Sequence, residues 1–225
     1  MSKAIRITLL VVSLTVMVIS AWQLGTILWN RYMDQMANEE IAEIAYYPSE
    51  DIPELEPWQT RRINFTALQE RNPEIIGWIH IPGTEIDYAI TQGSNNEFYL
   101  RHDAFARPSI AGAIFLDYSA TDDFSDEDTF VFGHHQLDGT MFGTLHDFFL
   151  EDDEPEGGYP PIIIYTPRDT RMYEFVESFM TQSNLEHQID RDPHIITLAT
   201  CNYTDGYSHF AVRAELALVR PPGGR

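Results

Sequence analysis

The pattern of apolar and polar positions divides the chain into three stretches of different character. Residues 7–29, "ITLLVVSLTVMVISAWQLGTILW", carry no charged side chain. A helix of that length, at about 1.5 Å per residue, crosses a bilayer core of roughly 30 Å. A cleaved signal peptide would have a shorter apolar core of about 7–15 residues and a small-residue cleavage site, so the pattern predicts an uncleaved transmembrane helix. Residues 32–57 turn acidic, with Ile41, Ile44 and Ala45 at helical spacing and then Pro48, Pro53 and Pro57. That reads as a short amphipathic helix followed by an extended spacer. Residues 58–71, "WQTRRINFTALQER", place Trp58, Ile63 and Leu68 in a helix-like pattern that Asn72-Pro73 ends.

From residue 75 the period shortens. Eight runs, "IIGWIHIPG", "IDYAITQ", "AGAIFLDY", "TFVFGHH", "PIIIYTP", "MYEFVESFM", "HIITLATC" and "HFAVRAELALV", are rich in β-branched and aromatic residues and separated by Gly, Pro, Asn and Asp. They predict a mainly β fold, a sandwich or barrel of about eight strands. One helical interruption is expected at 141–150, "MFGTLHDFFL", and the acidic "EDDEPEGG" at 151–158 reads as an exposed loop. The organisation expected is therefore a tail over 1–6, an anchor over 7–29, an acidic linker with helices over 30–71, and a β domain over 72–220.

Charge adds an orientation and an exclusion. Lys3 and Arg6 precede the apolar stretch, whereas Asp34, Glu39, Glu40 and Glu43 follow it, with only Arg31 against the trend. The positive-inside bias then puts the N-terminus in the cytoplasm and the β domain outside a single-pass plasma-membrane anchor. All 35 acidic residues, but only 11 of the 14 basic ones, lie beyond residue 31. Such a surface repels nucleic acid, so a nucleic-acid partner is excluded. Cys201 is the one cysteine, so no intramolecular disulfide forms and its thiol is either buried or used.

Few side chains suited to attack or proton transfer fall at strand ends. Cys201 closes "TLATC", and the pair His134-His135 follows Gly133. Taken alone, the cysteine fits a small buried core residue, and the histidines fit a polar turn where glycine lets a strand end abruptly. His134, Asp138 and His146 are conceivable metal ligands, but there is no HExxH and no paired-cysteine spacing, so no metal or other cofactor is expected. No G-x-S-x-G elbow suggests serine catalysis.

Taken together, four segments are more specific. "NPEIIGWIHIPGTEIDYAITQGSNNEFYL" (72–100), "AGAIFLDY" (111–118), "FGHHQLDGTMFGTL" (132–145) and "TLATC" (197–201) occur in this order. In that combination the chain resembles a class B sortase, over roughly residues 72–219. The resemblance implies a closed sortase-type β-barrel holding a cysteine transpeptidase at the outer face of a Gram-positive membrane. It implies Cys201 as the nucleophile that forms a thioacyl enzyme with a sorting-signal peptide. His134 would be the acid and base, and a peptidoglycan precursor or pilin would supply the acceptor amine. Asn96, Leu100 and Thr200 would contact substrate, although Asn96 also fits a turn residue and Leu100 a core residue. Ala199 stands where the class often has serine.

The resemblance breaks at the third catalytic position, an arginine on the strand after the cysteine. Aligned on the apolar strand that follows it, "HFAVRAEL" puts His209 in the arginine's place, with Arg213 four residues on. A longer loop after Cys201 would bring Arg213 into the role. Alternatively His209 donates to the oxyanion, or the domain is a weak or inactive sortase-like domain. Two other functions remain open at this level, a non-catalytic anchored barrel that binds a peptide or partner protein and a cysteine (thiol) hydrolase.

Overall fold

A computed structural model describes residues 2–47, 57–149, 155, 157–181, 194–202 and 208–222; at Pro57, Thr181, Cys201, Asn202, Ser208 and His209 the backbone alone is described. The expected spacer over 48–56 and most of the acidic loop at 151–158 lie outside these residues.

The N-terminal apolar stretch and the start of the acidic one form a single helix, α1 (Lys3–Ala45), of 43 residues, roughly 64 Å long at the usual rise. The Ser2 hydroxyl caps its first turn by accepting from the Ile5 N–H. The expected boundary at residue 29 therefore falls within one continuous helix. Every residue from 7 to 29 is exposed, and this part is long and apolar enough to cross a membrane by length and composition. Beyond it the helix docks. Ala37, Ile41 and Ala45, one above another at i, i+4 spacing, are buried. Glu40 is held by Arg71 at 2.6 Å and Arg107 at 2.7 Å.

The helix expected over 58–71 is divided. Short helices α2 (Pro57–Thr60) and α3 (Phe65–Arg71) are separated by a backbone bridge between Ile63 and Tyr46. Asn64 caps α3 by accepting from the Ala67 N–H, and the chain leaves the helix at Asn72, because Pro73 disfavours a helical residue before it.

The eight strands are β1 (Ile75–His80), β2 (Asp87–Thr91), β3 (Ile114–Leu116), β4 (Asp128–His134), β5 (Ile162–Tyr165), β6 (Thr170–Thr181), β7 (Ile195–Asn202) and β8 (Ser208–Arg220). They close in the order β1-β2-β3-β4-β7-β8-β6-β5. The pairs β2–β3 and β4–β7 are parallel and the others antiparallel. The helical interruption is a single turn, α4 (Leu145–Phe148).

Two apolar cores explain why several strands are buried on both faces. Ile79, Ile90, Leu116, Val131, Ile162, Ile164, Leu198 and Val212 fill the barrel with Phe142 and Phe149. Ile75, Trp78, Ala89, Phe115, Ile163 and Tyr165 point the other way, against Ile41, Ala45, Phe65 and Leu68 of α1 and α3. In β5 alternate residues serve the two cores, so "IIIY" is one uninterrupted apolar run.

Candidate active site

The site forms where β4, β7 and β8 lie side by side. In the parallel pair β4–β7, Gly133 is opposite Thr200 and His134 is opposite Cys201. In the antiparallel pair β7–β8, Cys201 is opposite His209 and Thr197 is opposite Arg213. His134, Cys201 and His209 thus stand in one row across three neighbouring strands, each about 4.8 Å from the next at ordinary strand spacing. They are far apart in sequence, and only the parallel β4–β7 pairing brings histidine and cysteine together.

Arg213 is not in that row. Four residues beyond His209, it lies about 13 Å further along the strand. Its Nη1 forms a 2.6 Å ion pair with Glu177 Oε1 on β6, and its side chain is 12% exposed. The loop whose length was invoked to shift Arg213 into place, 203–207, lies outside the described residues, but the strand register on either side pairs Cys201 with His209.

Two glycines shape the seat of His134. Strand β4 does not stop at Gly133, as a turn-forming glycine would suggest, but runs through it to His134. A Cβ at Gly133 would lie 2.5 Å from Ile114 Cδ1 and 2.7 Å from Phe142 Cδ2. Gly112, at φ +66°, backs the imidazole, and a Cβ there would meet Tyr99 O at 2.7 Å and His134 Cδ2 at 3.1 Å. The requirement for glycine before the histidine is therefore steric.

The buried imidazole of His134 has its Nε2 2.7 Å from the Leu100 carbonyl oxygen. A carbonyl only accepts, so Nε2 carries hydrogen there. Leu100 is held in turn by a short 3-10 turn, Phe98–Leu100. Within it the buried Tyr99 hydroxyl donates to Glu74 Oε2 at 2.6 Å and accepts from Asn72 Nδ2 at 2.8 Å. Sequence reading missed this orienting role, because a main-chain carbonyl leaves no signature in residue identity.

The other sequence-derived residues take distinct places. Leu100 is half-buried beside His134, lining a cavity with it. Asn96 uses both ends of its amide: Nδ2 donates to Asp117 at 2.7 Å and Oδ1 accepts from the Tyr118 N–H at 2.9 Å. Thr200 is buried, and its hydroxyl has no hydrogen-bond partner among the described residues. Ala199 packs with Ala211 in a small apolar cluster.

The two other histidines near the site pack ring against ring at a tilt of 55°. His135 lies 5.2 Å from His146 between ring centres, and His146 Nε2 is 3.0 Å from Asp147 Oδ1. Burial first, and then the His146 charge, push His135 below the usual imidazole range. Asp138 caps its own turn through Thr140 and stands 3.7 Å from Arg31 of α1. Among the described residues no group of three or more His, Cys, Asp or Glu side chains could hold a metal ion.

A cavity of about 550 Å³ opens between α1 and the barrel and reaches His134. Asn30, Met33 and Asp34 form its helix wall, and Leu100, Arg101, Pro108, Ser109 and Ile110 form the barrel wall.

A closed barrel of this strand order, with cysteine and histidine paired on parallel strands, has the architecture of sortases. The sortase domain model matches residues 79–217, and the chain belongs to the sortase family. Curated relatives include sortase B of Listeria monocytogenes, 33% identical over 145 residues, which are 64% of this chain and 58% of that protein. Sortase B of Staphylococcus aureus is 27% identical over 178 residues, 68% of this chain and 72% of that protein. The match thus spans little more than half of the Listeria relative. Among solved structures, Bacillus anthracis sortase B in complex with AAEK1 has a TM-score of 0.68 at 24% identity, covering 84% of this chain and 99% of that one. A Staphylococcus aureus sortase B–substrate complex has a TM-score of 0.60 at 23% identity, covering 68% and 86%.

Proposed function

We propose that the protein is a single-pass, membrane-anchored cysteine transpeptidase of the class B sortase type. It would cut a sorting-signal peptide and join it to a cell-wall or pilin amine. The observation that carries this reading is the register that pairs His134 with Cys201. Residues 7–29 of α1 serve as the anchor, and Lys3 and Arg6 favour a cytoplasmic N-terminus with the barrel outside.

In the first half-reaction the Cys201 sulfur attacks the scissile carbonyl carbon. The C–S bond forms, the C–N bond breaks, and the thiol proton leaves with the departing amine by way of His134. In the second, the acceptor's nitrogen attacks the thioester, the C–N bond forms and the C–S bond breaks. Thioester plus ammonium yields amide, thiol and one proton released to water. The Leu100 carbonyl fixes the imidazole through Nε2, which leaves the proton transfers to Nδ1.

The third role, a donor to the oxyanion, goes to His209. It is the register partner of Cys201, whereas Arg213 is further along β8 and already paired with Glu177. An imidazolium can donate to an oxyanion.

The test is peptide cleavage by the full-length chain with and without an added amine. Cleavage should be faster with the amine and give an amide product, and Cys201→Ala or His134→Ala should each abolish it. Equal rates in both conditions would identify a hydrolase, and no turnover over a broad peptide panel would identify a binding module.

A further inference from the structure

A transpeptidase must admit two substrates to one thioester, and the arrangement around His134 offers two sides. Cys201 lies on the β7 side of β4. The cavity lies on the other side, walled by Leu100 and Ser109 from the β2–β3 connection and by Asn30 and Asp34 from α1. His134 stands between them. We propose that this cavity is the entry site for the acceptor amine, and that the half-buried Asp34 carboxylate holds the acceptor's primary ammonium group before His134 takes a proton from it. This assignment rests on the transpeptidase reading above.

Three observations converge on Asp34. The acceptor amine is cationic when it arrives at neutral pH, since an unperturbed α-amino group titrates near 7.7–8.0, so it needs an anionic partner. Asp34 is the one carboxylate among the described residues lining the cavity that His134 lines, and it shares that lining with Ser109. The surrounding field is also negative. Burial raises the Asp34 carboxyl above its usual range, and the nearby Asp103 and Asp138 add to that rise, so an incoming cation relieves repulsion already present. Arg101 reaches the same cavity, but it is exposed and its charge is screened by solvent. A half-buried carboxylate therefore dominates the local preference. The placement also explains why an element of the anchor helix helps to form the wall of a catalytic cleft.

The chemistry is a binding step that leaves covalent bonds untouched, so Asp34 acts by positioning the nucleophile. The decisive comparison uses the full-length chain in lipid nanodiscs, a sorting-type peptide, and two nucleophiles. Triglycine carries an ammonium, and hydroxylamine is uncharged at neutral pH. Asp34→Asn should raise the KM for triglycine about ten-fold, the size expected for losing one charge-assisted hydrogen bond. Its effect on the KM for hydroxylamine and for the peptide should stay within about two-fold on the same scale. Asp34→Glu should recover most of the triglycine affinity. An unchanged triglycine KM would overturn the proposal. So would a parallel shift for both nucleophiles, which marks a structural role, or a shift confined to the peptide, which marks the cavity as the peptide's site. A full-length chain that cleaves no peptide would instead remove the transpeptidase reading.

Discussion

The third catalytic role that the resemblance implies has two candidates on β8, His209 and Arg213. Arg213 sits at 12% exposure against Glu177, so its first duty is to satisfy a neighbouring carboxylate between β6 and β8. His209 is the register partner of Cys201 on the neighbouring strand. Changing His209→Ala should therefore lower kcat for peptide cleavage by about 10²–10³, the usual cost of one oxyanion donor. Arg213→Ala should leave kcat within a few-fold and show instead as a lowered unfolding midpoint, because the largely buried Arg213 side chain loses its packing along β8 and its ion pair to Glu177. Steady-state rates and thermal unfolding of the two variants would distinguish these roles, and the reverse pattern would return the third role to Arg213. At this scale the sequence was legible where a side chain carries the chemistry. Cys201 and His134 stand out by their motifs, and the strand register pairs them. The Leu100 carbonyl and the Tyr99–Asn72–Glu74 brace behind it were not legible, since each depends on its place in space and belongs to no local pattern.

The strands were legible for a physical reason. Each of the eight runs is bounded by turn-forming residues, and burial on two faces enriches it in β-branched and aromatic side chains. The helices were less so. The pattern over 58–71 hid a break at Ile63, where the backbone pairs with Tyr46, because pairing of that kind depends on a distant partner. This joint is fastened by Asp87, whose Oδ1 accepts from Arg61 at 2.9 Å and from Trp78 Nε1 at 2.7 Å, with His80 Nδ1 3.5 Å away. Burial alone would raise the Asp87 carboxyl. The His80 ring, the Arg61 charge and the Trp78 N–H outweigh it and hold the group below its usual range. The folded state therefore gains stability from Asp87 above the unfolded pKa of about 3.9 and loses it as pH falls through the lower folded value. Asp87→Asn should cost about 1–3 kcal/mol at neutral pH, and the unfolding midpoints of the two chains should converge in acid. A difference that persists undiminished at low pH would show that the carboxylate's charge is not what fastens the joint.

Across the whole molecule, one helix joins the apolar N-terminus to the β-barrel. Its docked part, from Asn30 to Ala45, packs on α3, β1 and β2 and is clamped by Glu40 to Arg71 and Arg107. The apolar part emerges directly from that dock, with no break at residue 29. With residues 7–29 in a bilayer, the cavity lined by Asn30, Met33 and His134 would lie close to the membrane surface. Composition and charge pointed to an anchored, acidic external domain, but they could not show that the apolar stretch and the segment docked on the barrel are one helix, because helical spacing looks the same on either side of a change in environment. The claim on which this whole arrangement depends is that Cys201 carries the acyl group. The most direct test is intact-mass and peptide-mapping analysis of the full-length chain, acid-quenched after mixing with a sorting-type peptide in the absence of amine. The account predicts a thioester adduct on Cys201 that disappears on addition of triglycine as an amide product accumulates. The absence of any adduct with peptides that the chain cleaves, or an adduct of equal yield in Cys201→Ala, would contradict it.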